Sequence, residues 1–223
     1  MKIFRYIILS LALIYSIAFP SKIAVATKVK GQVEIMTVGK KGFADLKPGT
    51  ILSDGDKIRT GSPGFTAIIF IDDKSTLKVK DNSEVVITGK RTAASISKKI
   101  NMDEGTIRAT VNKQNTDFVI QTPTSVASVK GTDFWLVSDP ETGDQIIGIE
   151  GIVGLTNSET GQEIDVTEGM SGLSTPNGNV GLIDTDPSTI PEDPSDDIEG
   201  PSQVKIYLEG PNGEQKVMII EYQ

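Results

Sequence analysis

Between Thr27 and Leu173 no segment sustains a helical period of apolar residues; short alternating runs separated by Gly, Asp, Asn and Pro fill the stretch. Alternation with period two puts every second side chain on one face of a strand, so this text specifies β-structure. Val33 and Ile35 alternate with Gln32 and Glu34, Leu77 and Val79 with Lys78 and Lys80, and Ile107, Ala109 and Val111 with Arg108 and Thr110. Thr66–Ile71 (TAIIFI) is nearly continuous in apolar residues, the pattern of a strand covered on both faces. Turn chemistry lies between the runs: Leu46-Lys47-Pro48-Gly49-Thr50, Ser53-Asp54-Gly55-Asp56, a loop from Gly61 to Gly64, Asp72 to Ser75, Asp81 to Ser83 and Asp103-Glu104-Gly105. Strands this short with connections this tight favour antiparallel neighbours, and the expected fold class is all-β.

Composition narrows the functional classes. A chain of 223 residues with 37% hydrophobic content is long enough for one domain with a sizeable core and a short appendage. The net charge of -8 argues against a nucleic-acid binder, which needs a basic face. The small basic spots Lys40-Lys41 and Lys98-Lys99 read as solvated turns. The sequence has no cysteine and no histidine, so it has no disulfide framework and lacks the commonest general base and zinc ligand. Catalysis, a cofactor and a metal site are therefore not expected.

The two ends differ from the middle. Lys2 and Arg5 precede an apolar run from Tyr6 to Phe19, followed by small residues, which is the pattern of a secretory signal peptide. Cleavage after Ala18 is favoured over cleavage after Ala26, because Lys22–Ile35 (KIAVATKVKGQVEI) reads as the first strand pair. The apolar run is too short to span a membrane before Pro20 and Lys22. The β domain is expected over residues 22–183. An acidic, Pro-rich linker follows over 184–203 (DTDPSTIPEDPSDDIEGPSQ), too poor in apolar side chains to order itself. Residues 204–223 then read as a β-hairpin around Pro211-Asn212-Gly213-Glu214.

Ser125–Val137 (SVASVKGTDFWLV) is a strand entered through a glycine kink. It stands in an ordered succession: GQVEI (Gly31–Ile35), LKPGTILSDGDKIRTG (Leu46–Gly61), DDKSTLKV (Asp72–Val79), DEGTIRATV (Asp103–Val111), FVIQTP (Phe118–Pro123), then GIVGL (Gly151–Leu155) and VTEGM (Val166–Met170). From about Val29 to about Gly172 this succession resembles the FecR domain family. Its most specific parts are Gly55 and Asp56 with Thr60 and Gly61, and Val129, Gly131, Thr132 and Phe134. The resemblance implies an extracytoplasmic antiparallel double-sheet sandwich, jelly-roll-like, with structural roles for these residues. In the best known members the domain lies on the periplasmic side of an inner-membrane protein. There it helps to relay the occupancy of an outer-membrane siderophore transporter to a cytoplasmic anti-sigma segment. This sequence shows an export signal where those members carry a cytoplasmic segment and a membrane span. It resembles the stand-alone exported members, whose role is protein interaction.

Candidate interaction residues are few. Trp135, the single tryptophan, alternates with Phe134 and is either core or an aromatic platform on an outer face. The acidic set Asp184, Asp186, Glu192, Asp193, Asp196, Asp197 and Glu199 lacks the spacing of a calcium loop and reads as solvated linker. Asp72 with Asp73, and Asp103 with Glu104, read as turn residues and not as a catalytic pair across a cleft. In the hairpin, Val204, Ile206 and Leu208 are expected to share a face with Val217 and Ile219, and Met218, Ile220 and Tyr222 to occupy the other. The expected function is a non-catalytic extracytoplasmic module that binds another envelope protein through a sheet edge or the Trp135 face; the alternative is a glycan-binding or surface-structural β module.

Overall fold

The structure, a computed structural model, describes residues 20–92, 95–113, 116–194, 203–209 and 214–221. The expected signal peptide, its cleavage after Ala18 and the hairpin turn at Pro211–Gly213 lie outside the described residues. The chain is all-β. In order come β1 (Lys22–Met36), β2 (Ala44–Asp45), β3 (Ile51–Ser53), β4 (Asp56–Phe70), β5 (Thr76–Val79), β6 (Glu84–Arg91) and β7 (Ile96–Val111). They are followed by β8 (Phe118–Gln121), β9 (Ser125–Val129), β10 (Thr132–Asp139), β11 (Gly143–Glu150), β12 (Ile152–Asn157), β13 (Glu163–Thr167), β14 (Met170–Ser174) and β15 (Val180–Asp184). One turn of 3-10 helix (Pro187–Thr189) precedes the hairpin β16 (Gln203–Glu209) and β17 (Gln215–Glu221).

The first fifteen strands form one hydrogen-bonded sheet that bends over itself. Three long strands, β1, β4 and β7, run through both halves. Their pairings define two layers: β2-β1-β4-β6-β7-β8-β9-β12-β13 on one side and β3-β1-β4-β5-β7-β10-β11-β14-β15 on the other. One core fills the space between them. Ile58, Val85, Ile87, Ile100, Phe118 and Ile120 from the first layer meet Ile68, Phe70, Leu77, Ile107, Phe134 and Leu136 from the second. Phe70 and Phe118 touch across the gap, edge to face, with ring centroids 5.6 Å apart.

Three local expectations change. Gly61–Gly64 is not a loop: β4 continues from Asp56 to Phe70 and bends there against β1. A Cβ on Gly31 would stand 2.1 Å from the Pro63 carbonyl oxygen, so the two backbones meet at a distance only glycine allows. Asp103-Glu104-Gly105 is likewise a bend inside β7, not a turn, and Lys22–Ile35 is one strand and not a pair. The antiparallel rule has one exception: Lys98–Asn101 of β7 pairs in parallel with Phe118–Gln121 of β8.

The start of β1 is wholly inside the second layer. Ile23, Ala24, Val25 and Ala26 are fully buried and pair with β3 and with the end of β4. Removing them strips out apolar burial of roughly 1.5–3 kcal/mol for each of Ile23 and Val25, together with both ladders. That loss is large beside a whole-domain stability of about 5–15 kcal/mol. A chain that starts at Thr27 will therefore show no cooperative thermal unfolding by circular dichroism, whereas one that starts at Phe19 will; equal melting of the two would refute this assignment of β1.

Candidate functional site

The residues that marked the family resemblance are structural. Asp56 is buried, and its carboxylate accepts the backbone N–H of Val38 at 2.9 Å and of Ser53 at 2.8 Å, tying the loop between β1 and β2 to the turn that joins β3 to β4. Gly55 before it has a positive φ of 88°. Thr60 Oγ1 reaches the Lys80 carbonyl at 2.5 Å and accepts Ser83 N–H at 3.0 Å. Gly61 lies against the side chain of Gln32. Val129 and Phe134 belong to the core, and Thr132 is buried at the start of β10. Lys130-Gly131 carries the chain from β9 in one layer to β10 in the other. At φ 73° and against Lys113, Gly131 tolerates no Cβ.

The carboxylate pairs are also accounted for. Lys98, expected in a solvated turn, lies within β7 with its side chain wholly buried, and its Nζ contacts Asp72 Oδ2 and Asp73 Oδ2, each at 2.9 Å. This triad ties the β4–β5 turn of one layer to β7 in the other. Asp103 and Glu104 are exposed strand residues. At the opposite end Asp144 of β11 accepts the hydroxyls of Thr122 (2.5 Å) and Ser125, and Asn157 Nδ2 donates to Ser174 Oγ at 2.9 Å. Those groups are buried and offer no access to a substrate. Among the described residues no group of His, Cys, Asp and Glu is placed to hold a metal ion.

Trp135 is the residue that sequence reasoning located but could not orient. It does not form an exposed platform, because only 1% of it is accessible. Nor does it join the main core: with Ile147 it is buried on the outer face of the second layer. The register sets a row across that face: Lys28 of β1, Ala67 of β4, Lys78 of β5, Arg108 of β7, Trp135 of β10, Ile147 of β11, Ser171 of β14 and Ile183 of β15.

What covers the row is the beginning of the expected linker. Thr185 N–H donates to Gly169 O at 2.9 Å, and the Thr185 and Ser171 hydroxyls are 2.9 Å apart. Asp186 caps the helical turn by accepting Ser188 N–H at 2.9 Å. That bond, with a second from the Ser188 hydroxyl, holds the exposed Asp186 carboxyl below the usual carboxylate range. At the far end Asp193 Oδ2 meets Lys78 Nζ at 2.6 Å and Arg108 Nη1 at 2.8 Å, and Lys80 Nζ donates to Glu192 O at 2.9 Å. From β15 to β5 the distance is about 24 Å, five strand spacings of roughly 4.8 Å, and a segment from Ile183 to Asp193 can reach about 33–36 Å. Residues 185–194 therefore form a strap that runs from β14 to Lys78 and Arg108 across the face that carries Ile147 and Trp135. The rest of the expected linker, 195–202, lies outside the described residues.

The strap ends on a basic and aromatic surface. Arg108 makes a two-pronged bond to Asp133, Nε to Oδ1 at 2.9 Å and Nη2 to Oδ2 at 2.8 Å, and keeps Nη1 for Asp193. The Asp133 bond, with help from both carboxylates, raises the Arg108 pKa above its ordinary value in spite of desolvation. Arg108 Cζ and Lys80 Nζ each lie 5.7 Å from the Trp135 ring centroid, within cation–π range.

Two further surfaces are apolar. Among the described residues β15 pairs only with β14 and exposes Leu182 and Ile183, while β13, the edge of the other layer that lies beside β14 and β15, presents Glu163 and Asp165 to solvent. In the hairpin the register sets Tyr207 opposite Val217 and Lys205 opposite Ile219, so Tyr207 and not Leu208 shares the Val217 and Ile219 face. Tyr207, Val217 and Ile219 are exposed, and Met218 packs against the main core.

Residues 56–154 match the family model of the FecR protein. That match falls within the Val29–Gly172 stretch of the resemblance. Two crystal structures of a protein assigned as an anti-sigma factor from Parabacteroides distasonis ATCC 8503 have a similar fold. One matches with a TM-score of 0.50 at 13% identity and the other with 0.48 at 15%; each match covers 58% of this chain and 60% of the other. The chain thus spans about 60% of the length of the solved structures it matches. No curated protein matches it.

Two substitutions test these placements. Trp135→Ala will lower the unfolding free energy by about 3–5 kcal/mol in urea, as for a buried aromatic; a change below 1 kcal/mol would return Trp135 to the surface. Asp56→Ala leaves two backbone donors without their acceptor and will cost about 2–4 kcal/mol, whereas Asp56→Asn, which keeps one acceptor oxygen, will cost less. Equal losses for the two Asp56 variants would contradict the loop-closing role.

Proposed function

We propose that the protein is an exported, non-catalytic FecR-domain module that binds another envelope protein, in signalling or assembly. The FecR domain and the fold shared with a protein assigned as an anti-sigma factor support a signalling context. The N-terminal charge and apolar pattern support export, with cleavage after Ala18, since cleavage after Ala26 would remove buried β1 residues. Against an enzyme stand the absence of His and Cys from the sequence and the commitment of the Asp72, Asp73 and Asp144 carboxylates to buried ties. The glycan-binding alternative would need Trp135 exposed beside other aromatics; Trp135 and Phe118 are buried, and Tyr207 of the hairpin is exposed.

The observation that carries the reading is the edge of β15. An edge strand offers a row of backbone donors and acceptors, and proteins that must stay monomeric guard such edges with charge. β13 is guarded in that way, by Glu163 and Asp165; β15 instead exposes Leu182 and Ile183. Strand addition there gives main-chain hydrogen bonds to a partner strand and apolar contacts for selectivity. A photoreactive residue at Asp184, activated in the native envelope, should yield one dominant crosslinked protein by mass spectrometry. Leu182→Lys with Ile183→Lys should lower that yield at least tenfold with an unchanged melting temperature. An undiminished yield would remove β15 as the binding edge.

A further inference from the structure

The strap that crosses the outer face ends in a carboxylate already held by the domain. Asp193 sits between Lys78 and Arg108, its backbone neighbour Glu192 is held by Lys80, and Trp135 floors the site. On this face the FecR domain supplies the cations Lys78, Lys80 and Arg108; of the two carboxylates bonded to Arg108, Asp133 is the domain's own and Asp193 comes from the strap. We propose that the Lys78–Arg108–Trp135 surface is a docking site for an extended acidic peptide of a partner protein, and that residues 185–194 occupy it in cis until such a peptide replaces them. This rests on the reading of the chain as a protein-binding module and names a surface distinct from β15.

Three features fit that occupant. The strap is itself a peptide of the required chemistry, Ile190-Pro191-Glu192-Asp193, and it meets the site through the Asp193 carboxylate, bonded to both Lys78 and Arg108, and through the Glu192 backbone carbonyl. Arg108 is fixed by its two bonds to Asp133, so its remaining prong points at the incoming carboxylate without reorganisation. Beside Glu192 and Asp193, which form one wall, a cleft of about 290 Å³ opens against Lys30, Pro63, Phe65, Lys80 and Asp81, giving room for a ligand to continue. A strap tethered close by competes at an effective concentration in the millimolar range, so the site is closed to weak ligands. A partner that restrains β15, at the root of the strap, would shift that balance.

The only tryptophan in the chain reports on the site directly. In the full chain, Asp193→Lys should release the strap, shifting Trp135 emission to the red and raising its quenching by acrylamide at least threefold. Adding a synthetic peptide of residues 187–196 in trans should restore the blue emission and bind the Asp193→Lys chain at least tenfold more tightly than wild type. A peptide with lysine at both acidic positions corresponding to Glu192 and Asp193 should not bind. Arg108→Gln, checked for an unchanged circular dichroism spectrum, should weaken the acidic peptide at least tenfold, and added salt should do the same. Unchanged emission and quenching in Asp193→Lys, or equal binding of the acidic and lysine peptides, would overturn the proposal. Concentration-dependent dimerisation of wild type that Asp193→Lys abolishes would assign the site to a second copy's strap and also overturn it. Crosslinking at β15 is read separately, so its persistence alongside a negative peptide result would sink this inference and leave the binding-module reading standing.

Discussion

Everything in this fold depends on the seam at which the chain passes from one layer to the other. At that seam the backbone bends within β1, β4 and β7 or steps between strands, and glycine occupies the tight positions. Gly131 and Gly151 make the point best. They end the β9 and β11 sides of two successive crossings, both at positive φ, and a Cβ on Gly151 would lie 2.8 Å from the Gly131 carbonyl oxygen. The two crossings are therefore stacked on each other, and neither can accept a side chain. Because the side-chain period of a strand is two, a slip at the Gly131 crossing would turn Phe134 and Leu136 outward and Trp135 inward, and one at Gly151 would turn Val153 and Leu155 outward. The seam thus fixes which residues are core and which face the strap.

A chain without disulfides must hold two such layers together by burial and by polar ties. The core supplies most of this, with Phe70 against Phe118 at its centre. At one end lies the Lys98 triad with Asp72 and Asp73, and at the other the Asp144 and Asn157 hydrogen bonds. A buried ammonium between two carboxylates adds little net stability compared with an apolar filling, but removing one partner is costly. These ties therefore act less as a source of stability than as a penalty on any arrangement in which the layers shift.

The fold class and the strand positions were legible because alternation and turn chemistry are local signals. Val33 with Ile35, Leu77 with Val79, and Ile107 with Ala109 are core residues, as their spacing implied. Bends were not legible as bends: Gly61–Gly64 and Asp103–Gly105 carry the residues of turns, and only the pairing shows that the strands continue, with both flanks of Gly61–Gly64 on β1 and the flanks of Asp103–Gly105 on β6 in one layer and on β5 and β10 in the other. Lys98 looked solvated because its partners lie some 25 residues away in sequence, in a turn that packs against it. Trp135 was undecidable for the same reason. Its orientation follows from alternation, but its burial depends on a segment more than fifty residues later whose composition gave no sign of docking. A strap poor in apolar side chains is held by capping, by backbone hydrogen bonds and by one carboxylate, none of which a hydrophobic pattern reveals.

The family span gives these observations a division of labour. Residues 56–154 contain the loop-closing Asp56, the Gly131 and Gly151 crossings and the Lys78, Arg108 and Trp135 row, that is, the scaffold and the cationic half of the candidate site. The match ends before β13, β14, β15 and the strap. The unguarded edge and the carboxylate that pairs with Lys78 and Arg108 both come from this later part of the chain. The domain thus provides a rigid, charged and aromatic surface, and the segment that follows it determines when that surface is open. The two are joined at β15, where the strap begins at Thr185 one residue after the edge strand ends. A strand added to β15 would therefore act on the root of the strap, and the coupling between edge and face needs no longer pathway than that single residue.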